Sequence, residues 1–212
     1  MRDLILFGIQ GAGKGTQSKR IAEHFGYTIF EAGGELRRLA STDTLLGRKI
    51  KSIIDAGNLV PDEVIMEMVE EFIQEYGKSG AVIFDGIPRN ESQAQLFGTL
   101  MKQEGRRPLG LYIHLSDDDA LNRLTKRRIC SQCKKVFPAS YSASVCDVCG
   151  APLTRRADDT LDSIKNRLQH FHHDTMPVIE AYRTNNDLVE VNGAQDIEKL
   201  TQEIIDKLQR HS

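Results

Sequence analysis

Nine residues near the start of the chain, Gly8-Ile9-Gln10-Gly11-Ala12-Gly13-Lys14-Gly15-Thr16, are of the types needed to grip a phosphate. The glycines let the backbone curl tightly and take up positive φ without strain. The amides of such a loop point inward, and a following helix adds the partial positive charge of its N-terminus. Lys14 places a mobile cation over the same hollow. Gly11, Ala12, Gly13, Lys14, Gly15 and Thr16 are therefore candidate ligands of a nucleotide's phosphates. The residue after Lys14 is Gly15, and the hydroxyl comes one place later at Thr16. A magnesium ion is thus expected to be held through water or by another group.

Two further patterns carry chemistry. Phe84-Asp85-Gly86-Ile87-Pro88-Arg89 closes an apolar run. A carboxylate at the carboxyl end of a strand, beside a phosphate loop, suits a magnesium–water cluster. Gly86 and Pro88 would fix where the Arg89 guanidinium points; taken alone, the stretch also reads as an ordinary turn with a surface arginine. Cys130-Ser-Gln-Cys133, a gap of twelve residues, and Cys146-Asp-Val-Cys149 form two Cys-x2-Cys turns. Each can direct two thiolates at one point, and together they complete a tetrahedral structural zinc site. Iron is the other metal such thiolates could hold, and a redox pair or idle thiols is the alternative to a metal.

These groups need a frame. Apolar, β-branched runs at Leu4–Phe7, Thr28–Phe30, Ala81–Phe84, Leu111–Leu115 and Leu188–Val191 read as strands. Helical periodicity covers Gln17–Phe25, Asp62–Tyr76, Ser92–Glu104, Asp117–Arg128, Thr160–Asn185 and Ile197–Gln209. The alternation predicts an α/β fold, a five-stranded parallel sheet flanked by helices, with ligands beyond the carboxyl ends of the strands. Two stretches interrupt it: residues 31–60, which fit short helices, and residues 125–157, which hold the cysteines. Both read as flaps inserted in a core made of residues 1–30, 61–124 and 158–212.

Lys plus Arg is 28 against 30 for Asp plus Glu, a net charge of −2 with no polybasic tract, so neither nucleic acid nor a membrane surface is an expected partner. The chain shows no run of transmembrane length and no signal peptide, and is expected to be a cytoplasmic monomer. All four cysteines fall between positions 130 and 149, which serves one local feature rather than a disulfide framework. His170, His172 and His173 cluster on one helical stretch and read as surface or core-edge histidines.

The order of the motifs resembles one family. The Gly8–Thr16 loop, Asp85-Gly-x-Pro-Arg89, the Arg127-Arg128 pair before the cysteine insert and Arg156-x-Asp158-Asp159 after it are similar to adenylate kinases with a zinc-bearing lid, as is Asp55-Ala56-Gly57-Asn58-Leu59-Val60-Pro61. The resemblance implies a P-loop nucleotide-binding core that transfers the terminal phosphoryl group of ATP to AMP with magnesium, giving two ADP. No side-chain nucleophile is required for that transfer. The same resemblance implies that Lys14, Arg37, Arg89, Arg123, Arg127, Arg156 and Arg167 converge on the phosphates, with Asp85 near the metal. Arg127 and Arg128 crowd the helix end that carries Arg123. Asp158 and Asp159 would engage the arginines as the lid closes; capping the helix that begins near Thr160 is the other reading.

On the donor side the family resemblance points to Arg123, Arg127, Val136, Phe137 and the Gln195 region, where Gln195 replaces the family's lysine. On the acceptor side it points to Ala32, Arg37, Asn58, Leu59, Val60, Gly86, Ile87, Pro88, Arg89, Gln93, Arg156 and Arg167. Ala32 in the usual Thr place and Asn90 after Arg89 resemble UMP/CMP kinases, whereas Gln93 matches the glutamine that reads the acceptor adenine. Gln93 as a solvated helix residue is the bland alternative. AMP is the expected acceptor, and UMP or CMP the alternative. The departures at Gln10, Ala32, Gly34 and Ile87 also allow a different class, a protein that binds nucleotides without transferring a group.

Overall fold

The central strands form because their apolar residues are buried in succession. Leu4–Phe7 (β1) is buried at every position, and so is Val82–Asp85 (β3). Successive strand residues point to opposite faces, so unbroken burial means that both faces of the sheet are covered. Thr28–Glu31 (β2), Leu109–His114 (β4) and Leu188–Asn192 (β8) complete a sheet of order β2-β3-β1-β4-β8, parallel throughout. The computed structural model describes residues 1–77, 80–138, 141–156 and 158–211. The expected lid boundary at position 157 and core boundary at 212 lie outside them.

Helix Lys14–Phe25 (α1) packs against Ile197–Arg210 (α9), while Glu91–Gln103 (α5) contacts both Asp62–Tyr76 (α4) and Met176–Thr184 (α8). Between β2 and α4 lie two short helices, Ala32–Ala40 (α2) and Leu45–Asp55 (α3), packed on each other. After Asp117–Lys126 (α6) comes a small antiparallel sheet in which Arg128–Cys130 (β5) lies between Val136–Phe137 (β6) and Leu153–Thr154 (β7).

Where bounds differ from the sequence reading, the backbone shows why. α1 begins at Lys14, earlier than Gln17, because the left-handed Gly13 caps it directly (φ 98°). α6 stops at Lys126 because Arg127 is already extended, so Arg128 starts β5 and the two neighbouring arginines part company. The helical run expected over Thr160–Asn185 is Leu161–His170 (α7), a π-turn at Phe171–Thr175, and α8. Pro177 lacks the amide that would bond the carbonyl of His173, and the helix widens in the turn just before it.

Asp3 ties the amino end of this frame together. Its buried carboxylate accepts from Arg106 Nε and Nη2, both at 2.6 Å, and from the Val82 amide at 2.8 Å, while Arg106 also donates to the carbonyls of Gly77 and Gly80. Removing the carboxylate strands a guanidinium and a strand amide. Asp3→Ala is expected to lower the unfolding free energy by about 3 kcal/mol in urea titrations, and a loss under about 1 kcal/mol would contradict this account.

Candidate active site

A cavity of about 1050 Å³ opens between the phosphate loop, the α2–α3 flap and the small sheet. Its floor is the carboxyl edge of the main sheet, where Asp85 pairs in register with Leu6 and with Glu31. Backbone sterics hold the loop to this edge: a Cβ on Gly8 (φ 149°) would come within 2.7 Å of the Ile113 carbonyl oxygen. Gly11, Ala12, Gly13, Lys14, Gly15 and Thr16 all face the cavity.

Lys14 does not hang free over the hollow. Its ammonium donates to the carbonyls of Gly8 at 2.6 Å and Ile9 at 3.2 Å. Burial lowers its pKa to about 8, against the opposing pull of Asp85. Burial pushes the Asp85 carboxyl up, and the Lys14 charge counters this. Arg89 is fixed on three sides: Nε donates to Gly86 O (2.8 Å), its amide donates to Gln93 Oε1 (2.8 Å), and its carbonyl accepts from Thr175 Oγ1 (2.7 Å). Burial lowers the Arg89 pKa and Asp85 raises it, but a guanidinium stays charged.

The remaining cations lie around the same space. Arg37 pairs with Glu31 at 3.0 Å. Arg123 donates to Gly11 O (3.1 Å) and Gly193 O (2.9 Å) and so joins the loop to the turn after β8. Arg127 grips Asp159 with two bonds (2.8 and 2.6 Å), and Arg167 reaches the same carboxylate at 3.3 Å. Arg156 grips Asp158 through Nε at 2.9 Å and through Nη2. Burial would raise the Asp158 pKa, but the bonds and charge of Arg156, with Arg167, hold it at about 2. The aspartates are not helix caps: Thr160 Oγ1 accepts from the Ser163 amide at 3.2 Å and fills that role.

Ala32, Arg37, Asn58, Leu59, Val60, Gly86, Arg89 and Gln93 line the cavity, and so do Arg123, Arg127, Val136, Phe137 and Gln195, together with Arg156, Asp158 and Arg167. Phe137 is mostly committed to packing within the small sheet (2% exposed), and the Gln195 amide donates to Glu203. Three expected site residues do not line this cavity. Ile87 is 1% exposed and packs in the core. Pro88 borders a smaller cavity near His170 and Thr175. Asp159 sits behind its arginines, its side chain 4% exposed. Gln93 is not solvated: it is 2% exposed, its Nε2 donating to Asp62 at 2.9 Å.

Several wall residues escaped sequence reasoning, among them Ile54, Lys135 and Leu200, whereas Gly193 stands beside the expected Gln195 region. Gly193 had a visible signal, its residue type: a Cβ there would approach His114 O to 2.9 Å. Gln10 Oε1 is enclosed with no hydrogen-bond partner among the described residues. His170, His172 and His173 pair with Asp174, Asp117 and Asp174 respectively, on exposed to half-buried positions.

The four cysteine sulfurs lie within 4.8 Å of one another, with Cys130–Cys149 at 3.4 Å and Cys133–Cys146 at 3.5 Å. Tetrahedral zinc bonds of about 2.3 Å place sulfurs roughly 3.8 Å apart, so the set suits a structural zinc site. The amides of Gln132 and Cys133 point at Cys130 Sγ, and that of Val148 at Cys146 Sγ, which favours thiolates. Left-handed Lys134 (φ 60°) and Gly150 (φ 72°) turn the chain after each Cys-x2-Cys pair.

A parallel sheet with a glycine-rich phosphate loop at its carboxyl edge, converging arginines and two flaps defines a P-loop nucleotide-binding protein. The sequence model described as adenylate kinase matches residues 6–187, and the chain belongs to the adenylate kinase family. It is 39% identical over 210 residues to the adenylate kinase of Desulfitobacterium hafniense (strain DSM 10664 / DCB-2), covering 97% of each chain. It is 35% identical to that of Caldicellulosiruptor bescii, covering 97% of this chain and 98% of the relative. With the adenylate kinase of Archaeoglobus fulgidus the identity is 34%, covering 95% of each. No helix among the described residues is long and apolar enough to cross a membrane.

Two outcomes test this site. Cys133→Ser is expected to lower zinc content in mass spectrometry and the melting temperature by about 5 °C or more; unchanged values for both would reject the metal site. The Lys14 ammonium is lost as pH rises through about 8, and phosphate favours the protonated form. ATP affinity of the nucleotide-free chain, measured by calorimetry, should therefore fall between about pH 7 and pH 9.5, and Lys14→Met should flatten that dependence.

Proposed function

We propose that the protein transfers the terminal phosphoryl group of ATP to AMP, reversibly, giving two ADP, with the roles that follow. The observation that carries this reading is the continuity of the cavity: phosphate loop and acceptor wall face one space, with Lys14, Arg89, Arg156 and Arg167 along it. The loop amides and Lys14 hold the donor's phosphates, and Arg123, by clamping Gly11 and Gly193, keeps the loop in register with the turn that flanks the donor base. Arg37 and Arg89 hold the acceptor phosphate. Ala32, Leu59 and Val60 give its base an apolar bed, and Gln93 supplies polar recognition.

In the transfer, an oxygen of the AMP phosphate attacks the γ-phosphorus while the bond to the β,γ-bridging oxygen breaks and ADP departs. The attacking phosphate is a dianion near neutral pH, since its second pKa is about 6, so no base needs to remove a proton. Charge spreads over the transferred group's oxygens, and the arginines and lysine are already fixed where it develops. Bound magnesium supplies further charge neutralisation at the donor phosphates, and Asp85 suits its water shell. The zinc-bearing small sheet acts as a cover that excludes water during transfer. Cysteines gathered as one metal-binding set rather than as disulfides suit a reducing cytoplasm.

A coupled assay with ATP and each of AMP, UMP, CMP and GMP tests this. ADP formation is expected to be fastest with AMP; no ADP with any acceptor would overturn the enzyme reading, and faster turnover with UMP or CMP the acceptor. Lys14→Ala should lower kcat/KM by about a hundredfold to a thousandfold with the fold retained by circular dichroism.

A further inference from the structure

Gln93 lines the cavity, and it is held there by two groups of opposite hydrogen-bonding character. Its Nε2 donates to Asp62 Oδ1 at 2.9 Å, and its Oε1 accepts from the Arg89 amide at 2.8 Å. A carboxylate can only accept and a backbone N–H can only donate. The two contacts therefore permit one orientation of the amide, which an unrestrained glutamine could reverse by flipping.

Asp62 is kept in its accepting form. Burial would raise its pKa, but hydrogen bonds from the side chains of Asn90, Ser92 and Gln93 outweigh this and lower it. The Asn90 side-chain amide donates to the same Oδ1 at 3.0 Å, and Asn90 Oδ1 caps α5 by accepting from the Gln93 backbone N–H at 2.7 Å. Asp62 begins α4 and Asn90 precedes α5, so the cluster joins the starts of two core helices.

An amide has two N–H donors and two lone pairs. One of each is used by Asp62 and Arg89, which leaves one donor and one acceptor for a ligand, in a fixed order. A 6-aminopurine edge offers a donor at N6 and an acceptor at N1; a 6-oxopurine offers the reverse, an acceptor at O6 and a donor at N1. We propose that Asp62 is a specificity-positioning residue: by locking the Gln93 amide in one orientation, it makes the acceptor site select 6-aminopurine over 6-oxopurine monophosphates. The inference rests on the acceptor reading given above and adds the residue that enforces it. Losing Asp62 removes the charged constraint and leaves only the weaker neutral one from Arg89.

The test compares kcat/KM for AMP and for inosine monophosphate in the full-length wild type, Asp62→Ala and Asp62→Asn. Asp62→Asn keeps the size of the side chain but can present either a donor or an acceptor, and so remains readable if the alanine variant folds poorly. The AMP-over-IMP ratio is expected to fall about tenfold in Asp62→Ala and by less in Asp62→Asn. KM for AMP should rise while KM for ATP stays unchanged. A lowered melting temperature with the ratio kept within about twofold in both variants would reduce Asp62 to a helix-start residue and overturn the proposal. Wild-type protein that does not phosphorylate AMP would overturn the acceptor reading and this inference with it, an outcome distinct from a preserved ratio.

Discussion

The structure depends on keeping several cations close together in a half-enclosed space before any phosphate arrives. Two unit charges about 4 Å apart interact by roughly 4 kcal/mol at the effective dielectric of a protein surface, so an uncompensated cluster would push itself apart. Each cation here is held by a specific partner. Lys14 rests on the carbonyls of its own loop, Arg89 on Gly86, and Arg123 on Gly11 and Gly193. Arg37, Arg127, Arg156 and Arg167 take carboxylates instead. Burial still weighs on the cluster: it is the leading influence lowering the pKa of Lys14, Arg37, Arg89 and Arg167.

The fold supplies the anchors that such a cluster needs. Parallel strands end at one edge, so β1, β2 and β3 deliver the phosphate loop, Glu31 and Asp85 to the same level. The flaps contribute what the rigid sheet cannot, namely walls that approach from outside. The small sheet carrying Val136 and Phe137 has little apolar surface of its own, its buried core being Cys130, Phe137 and Cys146. A zinc ion bound by the four cysteine sulfurs would provide the stabilisation that so few buried side chains cannot.

Much of this could be read from residue types alone, where local order along the chain carries the signal. The phosphate loop, the Asp85–Arg89 turn and the paired cysteine turns each lie within a few residues, and alternating strands and helices set the sheet. What stayed hidden depends on contacts between distant positions. Gln93 meets Asp62 from 31 positions away, and Arg123 meets Gly11 from 112. Neither distance leaves a mark in spacing. Conformation hid other features: Arg127 and Arg128 are neighbours that part because one ends a helix and the next begins a strand. Ile87 sits inside a binding motif yet turns into the core.

The balance of acid and base in the site follows from the same physics. With no carboxylates, the arginines would have to reorganise on binding, and reorganisation is the cost that a preorganised site avoids. With many more, phosphate itself would be repelled. Asp158 and Asp159 meet both demands because Asp159 acts from behind and Asp158, on the wall, has its charge taken up by two bonds from Arg156. They engage Arg127, Arg156 and Arg167 while Asp159 stays off the cavity wall, so the guanidinium groups are oriented without the full negative charge facing the nucleotide. A pKa of about 2 keeps Asp158 ionised throughout the neutral range, so its hold on Arg156 does not vary with modest changes in pH. Lys14 is tuned the other way, to about 8, because burial disfavours its charge by more than Asp85 restores. On the proposed reading the lysine is therefore the group whose charge would respond most directly to an arriving phosphate, while the arginines keep their charge and supply fixed geometry.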